Sequence, residues 1–287
     1  MKILITGGAG FIGTHLAKRL KKLNHEVLLV DYGDKYQEFH RQNFKIYEFD
    51  ISKYDNFALV EEEIDIIYHL AAQSSGYISL VRPEYDVDSN AKGTLNVCNF
   101  ARKKGCKKIV YTSSMAVYGE GDNLKETSNL NPISNYGVSK LAGEHYLKVY
   151  KNYGINYTVY RLFNTYGLGQ DLTNLRQGMA SIYLSQALNS DEIKVTGSFD
   201  RYRDMIHIDD VVDALVLALD NKTNNEIYNV CTGKPITVRE VIDLILLFLN
   251  KEVKITNIGA HDGDQHGNYG DNTKLRKLGW KNRVDSS

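Results

Sequence analysis

Proline and cysteine are scarce in this sequence. Only 3 of its 287 residues are proline and no segment is of low complexity, so no obvious linker divides the chain and any second domain must be woven into the first. The three cysteines, Cys98, Cys106 and Cys231, are odd in number and lack the spacing of a metal site. We therefore interpret them as reduced thiols, and we assign no residue to a metal.

An excess of charge of either sign is also lacking. The 35 basic side chains equal the 35 acidic ones, which argues against nucleic acid or an anionic membrane as the main partner. The longest apolar runs, such as 244–249, are far shorter than the roughly 20 residues that cross a bilayer. Met1 leads directly into a strand-like segment rather than a signal peptide. We expect a cytoplasmic protein without membrane contact.

What the sequence does contain is a regular alternation of strand-like and helical patterns. The apolar runs KILIT, EVLLVD, DIIYHLAA and KKIVYTSS are interspersed with helical patterns at 11–23 and 89–104. Such alternation implies βαβ units and an α/β fold, with a doubly wound parallel sheet of the Rossmann type. A helix at 136–153 and a strand at 155–162 continue the series.

The rhythm changes after residue 164 and predicts a smaller mixed α/β lobe over the carboxyl ends of the strands. The patterns there predict a helix at about 177–188, a strand at 193–196, and a helix at 238–249 that Thr237 caps. We expect two domains, each built from two segments of the chain. The dinucleotide-binding domain takes 1–163 plus about 204–232, and the substrate-binding lobe takes about 164–203 plus 233–287.

A glycine-rich turn follows the first predicted strand and opens the first predicted helix. The segment TGGAGFIG spaces Gly7, Gly10 and Gly13 three apart and includes Phe11 and Ile12. A dinucleotide site needs such glycines for a tight turn, a close backbone approach to the pyrophosphate and close helix packing. The alternative is an ordinary glycine-rich turn between a strand and a helix.

An acidic residue stands where the second predicted strand ends. Asp31 closes EVLLVD, about 20 residues after the turn, where a carboxylate can bind the adenosine ribose hydroxyls and repel a 2′-phosphate. The alternative is a turn-forming aspartate. Strand, loop, helix and acid together favour NAD as the cofactor over NADP, although Lys35 and Arg41 lie nearby.

A serine, a tyrosine and a lysine form a candidate catalytic set. Tyr136 and Lys140 are four apart in NYGVSK, so a helix projects both from one face. A neighbouring ammonium and an oxidised nicotinamide would stabilise the phenolate, and Ser114 at its strand end could hydrogen-bond the same substrate hydroxyl. The alternative is a surface helix in a chain with 20 tyrosines. His69 and His207 lie in apolar strand patterns and are interpreted as packed residues.

With these residues in view, the chain resembles the extended short-chain dehydrogenases/reductases, in the family of NAD-dependent nucleotide-sugar epimerases and dehydratases. Its motifs are most similar to those of UDP-glucose 4-epimerase-like enzymes. The motifs that carry the resemblance run in order along nearly the whole chain: TGGAGFIG, HLAAQ, YTSSMAVYG, YGVSK, YRLFNTYG, RDMIHIDD, YNVCTG and KLGW. The resemblance implies a bound NAD and a nucleotide-sugar substrate under the smaller lobe.

The resemblance also implies roles for further residues. Cofactor contacts would come from Asp50, Ile51, Leu70, Ala71, Ala72 and Asn90, in addition to Tyr136, Lys140 and the turn residues above. Substrate contacts would come from Ser74, Ser114, Asn164, Gln177, Arg203 and Asp264. For Arg203 the alternative is an ion pair with Asp204 that closes the loop. Ser113 would mainly form the turn.

The sequence departs from the family pattern in its last quarter. The four-residue segment 261–264 begins with His261 where the family has an arginine. A permanent guanidinium is thus replaced by a group that is mostly neutral at pH 7. The nucleotide and the sugar of the substrate stay open for this reason.

Three functions compete at this point. The leading hypothesis is epimerisation of a nucleotide-activated hexose at C4 through a transient 4-keto sugar, in carbohydrate or polysaccharide biosynthesis. The second is a nucleotide-sugar reductase or dehydrogenase with net redox, and the third is a non-catalytic dinucleotide-binding sensor. A dehydratase is disfavoured, because Met115 and Ala116 after Ser114 supply neither the acid nor the base that elimination of water needs.

The oligomeric state follows only from the resemblance. It implies a homodimer through a four-helix seam, to which the helical patterns at 89–104 and 136–153 would each contribute. The apolar stripes of these two helices could equally belong to the core of one chain.

Overall fold

A computed structural model describes residues 1–33, 36–175, 178–259 and 266–284. Its strands, in chain order, are β1 Lys2–Thr6, β2 Glu26–Asp31, β3 Lys45–Glu48, β4 Ile66–His69, β5 Lys108–Ser114, β6 Gly121–Leu124, β7 Asn156–Leu162, β8 Asn164–Tyr166, β9 Glu192–Val195, β10 Tyr202–His207, β11 Glu226–Val230, β12 Pro235–Thr237, β13 Lys254–Asn257 and β14 Gly267–Gly270. Seven of these strands form one sheet in the order β11-β7-β5-β4-β1-β2-β3. All its pairings are parallel, which confirms the predicted doubly wound fold.

The helices cover both faces of this sheet. In chain order they are α1 Phe11–Lys22, α2 Glu38–Asn43, α3 Gly76–Val81, α4 Pro83–Asp86, α5 Gly93–Lys104, α6 Asn135–Tyr150, α7 Met179–Asn189, α8 Ile208–Leu217, α9 Val238–Leu249 and α10 Thr273–Arg276. A π-helical turn, Val87–Lys92, joins α4 to α5. The predicted helix at 89–104 is therefore part of a longer helical segment that begins at Pro83. Among the described residues, no helix has the length and apolar character needed to cross a membrane.

Two apolar clusters hold the helices against the sheet. Ile3 and Ile5 of β1 join one cluster together with Leu16 of α1 and Val211 of α8. The intervening Leu4 joins the cluster on the opposite face, with residues of α5 and α6. Alternate strand residues point to opposite faces, so continuous apolar strands such as β1 are needed to bury both.

A second, mixed sheet is formed mainly by strands from the later part of the chain. Its strands follow the order β12-β10-β14-β6, and β8 pairs with β10. Strands β9 and β13 form a separate two-stranded sheet, and apolar residues of α7 and α9 pack together with them. The helix α9 has the predicted bounds and the predicted cap, since Thr237 accepts a hydrogen bond from Glu240 N.

Candidate active site

The carboxyl ends of four parallel strands bring the predicted residues to one edge of the large sheet. Thr6, Asp31, His69 and Ser114 are the last residues of β1, β2, β4 and β5. Because parallel strands point the same way, these residues share one edge, where α/β proteins of this type bind ligands.

The turn between β1 and α1 is shaped by glycine. Gly7 has φ +72°, and a Cβ on it would lie 2.6 Å from the backbone nitrogen of Ala71. A Cβ on Gly13 would lie 2.1 Å from the carbonyl oxygen of Gly7. Helix α1 begins after Gly10, which provides no side-chain cap. The N–H groups of its first turn are thus directed at the edge, as a diphosphate requires.

Asp31 stabilises the turn between β1 and α1. Its Oδ2 accepts a hydrogen bond from Ala9 N at 2.9 Å and its Oδ1 accepts one from Tyr32 N at 2.8 Å. A carboxylate has about four acceptor positions, so two remain for ribose hydroxyls. Arg41 pairs with Glu48 at 2.9 Å, and Lys35 lies outside the described residues.

The other predicted cofactor residues lie near the same edge. Asp50 accepts a hydrogen bond from Ser52 N at 2.8 Å, and Ile51 is buried beside Gly93. Leu70 donates its N–H to the carbonyl oxygen of Thr6 at 3.0 Å. The segment of Leu70, Ala71 and Ala72 therefore runs alongside the glycine turn, with Ala71 packed against Gly7.

Ser114 and Tyr136 meet at the edge. Tyr136 lies in the first turn of α6, which Ser134 caps by accepting a hydrogen bond from Gly137 N. Burial raises the pKa of Tyr136 to about 12, although its hydrogen bond with Ser114 acts to lower it. Ser114 Oγ also accepts a hydrogen bond from Ala116 N at 3.2 Å. This makes Ser114, not Ser113 as predicted, the serine that forms the turn.

Lys140 lies one helical turn after Tyr136 and is only 2% exposed. Its Nζ is 4.2 Å from the ring centroid of Tyr111. Burial lowers the pKa of Lys140 to about 7, while the carboxylates of Glu144 and Asp86 act to raise it. Burial penalises the charged form of an amine, so the ammonium needs nearby negative charge to persist.

Ser113 and Glu144 belong to a buried polar network next to the candidate catalytic residues. Ser113 Oγ donates to Glu144 Oε1 at 2.6 Å. Arg161 donates to both carboxylate oxygens of Glu144, at 2.9 and 2.7 Å, and to the hydroxyl of Tyr118 at 2.8 Å. The network ties α6 to β5 and β7 at the level of Lys140. The i, i+4 spacing of Lys140 and Glu144 is the sequence signal that could have found it.

Asn90 lies in the π-helical turn and has its side chain occupied by protein groups. Its Oδ1 accepts from Gln73 N at 2.8 Å, and its Nδ2 donates to Gln73 O, Asp86 Oδ1 and Ser139 Oγ at 2.9 to 3.1 Å. It thus fastens the segment after β4 to α6. Asp86, which lies four residues before Asn90, belongs to no motif that marks it in the sequence.

The sequence patterns predicted that His69 and His207 are packed residues. His69 is buried between Thr6 Oγ1 at 2.7 Å and Thr94 Oγ1 at 2.9 Å, and burial lowers its pKa to about 3. The structure thus confirms His69 as a packed strand residue. His207 ends β10 and caps α8 by accepting a hydrogen bond from Asp209 N at 3.3 Å.

The predicted substrate residues are spread over the two sheets. Ser74 is exposed between β4 and α3. Asn164 begins β8, and its Nδ2 is buried without a hydrogen-bond partner among the described residues. Arg203 of β10 donates to the carbonyl oxygens of Tyr202 and His266, at 2.7 and 3.1 Å. The residues Gln177, His261 and Asp264 lie outside the described residues.

For Asp204 the sequence left open an ion pair with Arg203. The structure shows other partners for its carboxylate. Its carboxylate accepts hydrogen bonds from Thr232 N at 2.7 Å, Gly233 N at 2.9 Å and Gly270 N at 3.3 Å. These bonds join β10 to the loop after β11 and to β14. In the part of the chain that the structure describes, no group of three His, Cys, Asp or Glu side chains could hold a metal ion.

Comparisons with known proteins agree on one family. The family model described as "NAD dependent epimerase/dehydratase family" matches residues 3–231. UDP-glucose 4-epimerase of Mycolicibacterium smegmatis is 33% identical over 99% of this chain and 94% of its own length. Two solved structures are similar throughout. UDP-glucose 4-epimerase of Thermotoga maritima with UDP-glucose has a TM-score of 0.92 at 32% identity and covers 99% of this chain and 94% of its own. UDP-glucose 4-epimerase of Thermus thermophilus with NAD has a TM-score of 0.93 at 31% identity and covers 99% of this chain and 95% of its own.

Proposed function

We propose that this chain, which belongs to the NAD dependent epimerase/dehydratase family, inverts C4 of a nucleotide-activated hexose through a transient 4-keto sugar. Family membership and the likeness to NAD-bound epimerases make it a NAD-dependent nucleotide-sugar epimerase of the short-chain dehydrogenase/reductase type. The stereocentre, the UDP-hexose substrate and the roles of individual residues are the proposed part.

The observation that carries the proposal is the hydrogen-bonded pair of Ser114 and Tyr136, with Lys140 one turn behind it. A hydroxyl of a sugar that enters this edge would meet a phenol and an alcohol together. No acid or base follows Ser114, since Met115 and Ala116 form the next turn. This favours reversible hydride chemistry over elimination of water.

The residues at the edge fit NAD. The glycine turn has no room for a Cβ at Gly7 or Gly13, the first turn of α1 is free of a side-chain cap, and Asp31 retains acceptor positions. We infer that the first turn of α1 holds the diphosphate, Asp31 the adenosine ribose, and Lys140 the nicotinamide ribose. Bound NAD would supply the hydride acceptor and, in the reverse step, the hydride donor.

The acid and base work falls to this chain's own side chains. Tyr136 would remove the proton from the C4 hydroxyl and return it after the ketone has been reduced on its other face. Ser114 would donate to the developing carbonyl oxygen and hold it near the phenol. The phenol has a pKa of about 12, so a charged Lys140 and the oxidised nicotinamide must lower it for the step to proceed at neutral pH.

We infer that the lobe of about 164–203 and 233–287 closes over the sugar nucleotide. Arg203, whose guanidinium can bind phosphate through two parallel hydrogen bonds, would contact the diphosphate. The buried, unpartnered Nδ2 of Asn164 would donate to the sugar or to the diphosphate. Ser74, Gln177 and Asp264 complete the proposed substrate contacts.

The proposal extends to assembly and to cellular role. We infer a homodimer in which α5 and α6 form a four-helix seam with their copies, because Val138 and Val149 of α6 are 54% and 52% exposed and lie on one face of the helix. We also infer action in the cytoplasm, where the three buried, free cysteines would stay reduced. The product would serve polysaccharide synthesis.

The test is to incubate the purified protein with a panel of UDP-, GDP-, CDP- and dTDP-hexoses and to monitor the sugars by NMR. We expect interconversion of a C4 pair, and Tyr136→Phe should reduce its rate by about 100-fold or more, because general acid–base catalysis contributes that much. Tyr146→Phe on the same helix is the matched control and should retain the rate.

The alternatives give different results in the same panel. Turnover with a stoichiometric change in the absorbance of reduced nicotinamide would favour the net oxidoreductase. If no sugar pair interconverts, C4 epimerisation is wrong. Unchanged turnover in Tyr136→Phe would refute the role of the phenol.

A further inference from the structure

His69 of β4 is hydrogen-bonded on both sides of its ring to buried threonines of other elements. Its Nδ1 lies 2.7 Å from Oγ1 of Thr6, the last residue of β1, and its Nε2 lies 2.9 Å from Oγ1 of Thr94 in α5. None of the three residues is more than 1% exposed. Because these groups are buried, each hydrogen that they carry needs an acceptor inside the protein.

The hydrogen bonds of this cluster run in one direction. The hydroxyl of Thr94 donates to the carbonyl oxygen of Asn90 at 2.5 Å, and a carbonyl oxygen can only accept. The hydroxyl of Thr94 has thereby used its hydrogen, so Nε2 of His69 must donate to it. Burial lowers the pKa of His69 to about 3, so the ring is neutral. Its Nδ1 then has no hydrogen and accepts one from the hydroxyl of Thr6.

Both ends of this hydrogen-bond chain reach segments that line the proposed cofactor site. Thr6 directly precedes Gly7, and its Oγ1 also accepts a hydrogen bond from Ala71 N at 3.4 Å. That backbone nitrogen would lie 2.6 Å from a Cβ on Gly7, so the two segments are in close contact. At the other end, the side chain of Asn90 accepts a hydrogen bond from Gln73 N at 2.8 Å. The chain of hydrogen bonds therefore links the glycine turn, the segment 71–73 and the π-helical turn.

We propose that His69, in the form that carries its hydrogen on Nε2, is a positioning residue for NAD, because it fixes the glycine turn relative to the segment 71–73. Both ring nitrogens are bonded to protein groups, so His69 acts on the cofactor only through its two threonines. A dinucleotide is held by groups at fixed separations, and a misplacement of about 1 Å is enough to weaken such contacts. The inference rests on the proposed NAD contacts of this edge and deepens them.

The first test locates the hydrogen on the ring. Long-range ¹H–¹⁵N correlation spectra of ¹⁵N-histidine-labelled, NAD-bound protein distinguish a ring nitrogen that carries hydrogen from one that does not. The signal of His69 is assigned by its loss in His69→Asn. We expect one neutral form with the hydrogen on Nε2 at neutral pH, because the pKa of about 3 lies far below it. A hydrogen on Nδ1, or a mixture of the two forms, would overturn the proposal.

The second test measures how firmly NAD is held. NAD-bound protein is mixed with an excess of fluorescent etheno-NAD, and the rate of exchange gives the rate of NAD release. Thr6→Val removes the hydroxyl at nearly constant shape and leaves Nδ1 of His69 without its donor. We expect NAD release to become about tenfold faster or more, in line with the usual penalty for an unmatched buried polar group.

Thr158→Val is the matched control for this measurement. Thr158 is also 0% exposed, and its hydroxyl donates to Thr223 O at 2.8 Å near the amino end of β7, away from the edge that holds the site. This variant should lose stability in denaturant titrations and still release NAD at the wild-type rate. Equal release rates in Thr6→Val and Thr158→Val would overturn the proposal. If Thr6→Val does not fold, Thr94→Val takes its place, because it breaks the same chain at the other end.

Substitutions of His69 itself separate hydrogen bonding from packing. His69→Leu fills the space without either hydrogen bond, whereas His69→Asn keeps an amide oxygen near the position of Nδ1 as an acceptor for Thr6. We expect His69→Leu to release NAD fastest and His69→Asn to recover part of the wild-type behaviour. If His69→Leu holds NAD as firmly as the wild type, the residue only fills space and the proposal is wrong. No measurement here uses a sugar, so a failed epimerase assay would leave this inference standing, and the reverse also holds.

Discussion

Glu144 and Arg161 lie inside the core as a pair of opposite charges joined by two hydrogen bonds. Removal of one partner leaves the other charge buried and uncompensated, which typically costs about 3–5 kcal/mol. We expect Glu144→Gln to lower the free energy of unfolding by that amount in denaturant titrations. The double variant with Arg161→Met should recover part of it, because no unpaired charge remains.

An exposed pair provides the comparison. Asp88 and Lys92 lie four residues apart at 3.1 Å with about half of each side chain exposed, and such pairs contribute about 0.3–0.5 kcal/mol. Asp88→Asn should therefore be nearly neutral. Equal losses in Glu144→Gln and Asp88→Asn would contradict the special cost assigned to the buried pair.

The residues of the site could be predicted where a local pattern marks them. Gly7, Gly13 and Asp31 stand at spacings that follow from one strand–turn–helix unit, and Tyr136 and Lys140 from one helix face. Arg161 carries no such mark, because its partners come from other elements of the fold. Only the folded sheet brings Arg161 of β7 to Glu144 of α6.

At the scale of elements, the turn between β1 and α1 has no room for a Cβ at Gly13. A Cβ on Gly13 would meet the backbone of Gly7 at 2.1 Å, so Gly13→Ala must displace the helix. We expect a loss of about 1–3 kcal/mol of stability, as for other overpacked sites, and weaker NAD binding in calorimetry because the first turn of α1 moves.

Gly76 is the matched position for this substitution. A Cβ there meets nothing within 4 Å, and Gly76 begins helix α3. Gly76→Ala should leave NAD binding unchanged and could add up to about 1 kcal/mol of stability, because glycine is unfavourable in helices. If Gly13→Ala bound NAD as tightly as Gly76→Ala, the close approach in the turn would have no role in binding.

Some helices could be predicted from the sequence more completely than others. The predicted helix at 238–249 matches α9 because its cap, its apolar period and its end all lie within one segment. The start of the segment at Pro83 and the π-helical turn were missed, since Asn90 holds that turn through Gln73 and Ser139, which lie in other segments. Periodicity does not report such tertiary bonds.

At the scale of the whole molecule, the proposed dimer seam can be tested on α6. Val149 is 52% exposed, and a charge there would be buried without a partner in a four-helix seam, at a cost of several kcal/mol. We expect Val149→Asp to sediment as a monomer where the wild type is a dimer.

Helix α9 supplies the control for this experiment. Phe248 is 88% exposed and lies outside the proposed seam, so Phe248→Asp should leave the dimer intact. A wild-type protein that sediments as a monomer at all concentrations would rule out the dimer.

The large sheet and the second sheet also differ in how they are encoded. Strands β1, β2, β4, β5 and β7 of the large sheet were predicted because βαβ units place strands at regular intervals, whereas β3 was not predicted. Strands β6 and β8 have four and three residues and were not predicted. Their pairing with β14 and β10 comes from distant chain segments, which a local pattern does not reveal.

The π-helical turn makes the register of the helix a condition for the buried hydrogen bonds of Asp86. A π-helix uses i→i+5 bonds where an α-helix uses i→i+4 bonds, so its turn amounts to one inserted residue. Deletion of a single residue within Val87–Lys92 would restore a regular helix and rotate α4 by about 100° relative to α5. Asn90 could then keep its bonds to Gln73 and Ser139, while Asp86 turned away from both Gln73 and Asn90. The extra residue of this turn is therefore what lets one carboxylate and one amide side chain hold the same glutamine, since Asp86 and Asn90 both hydrogen-bond to Gln73.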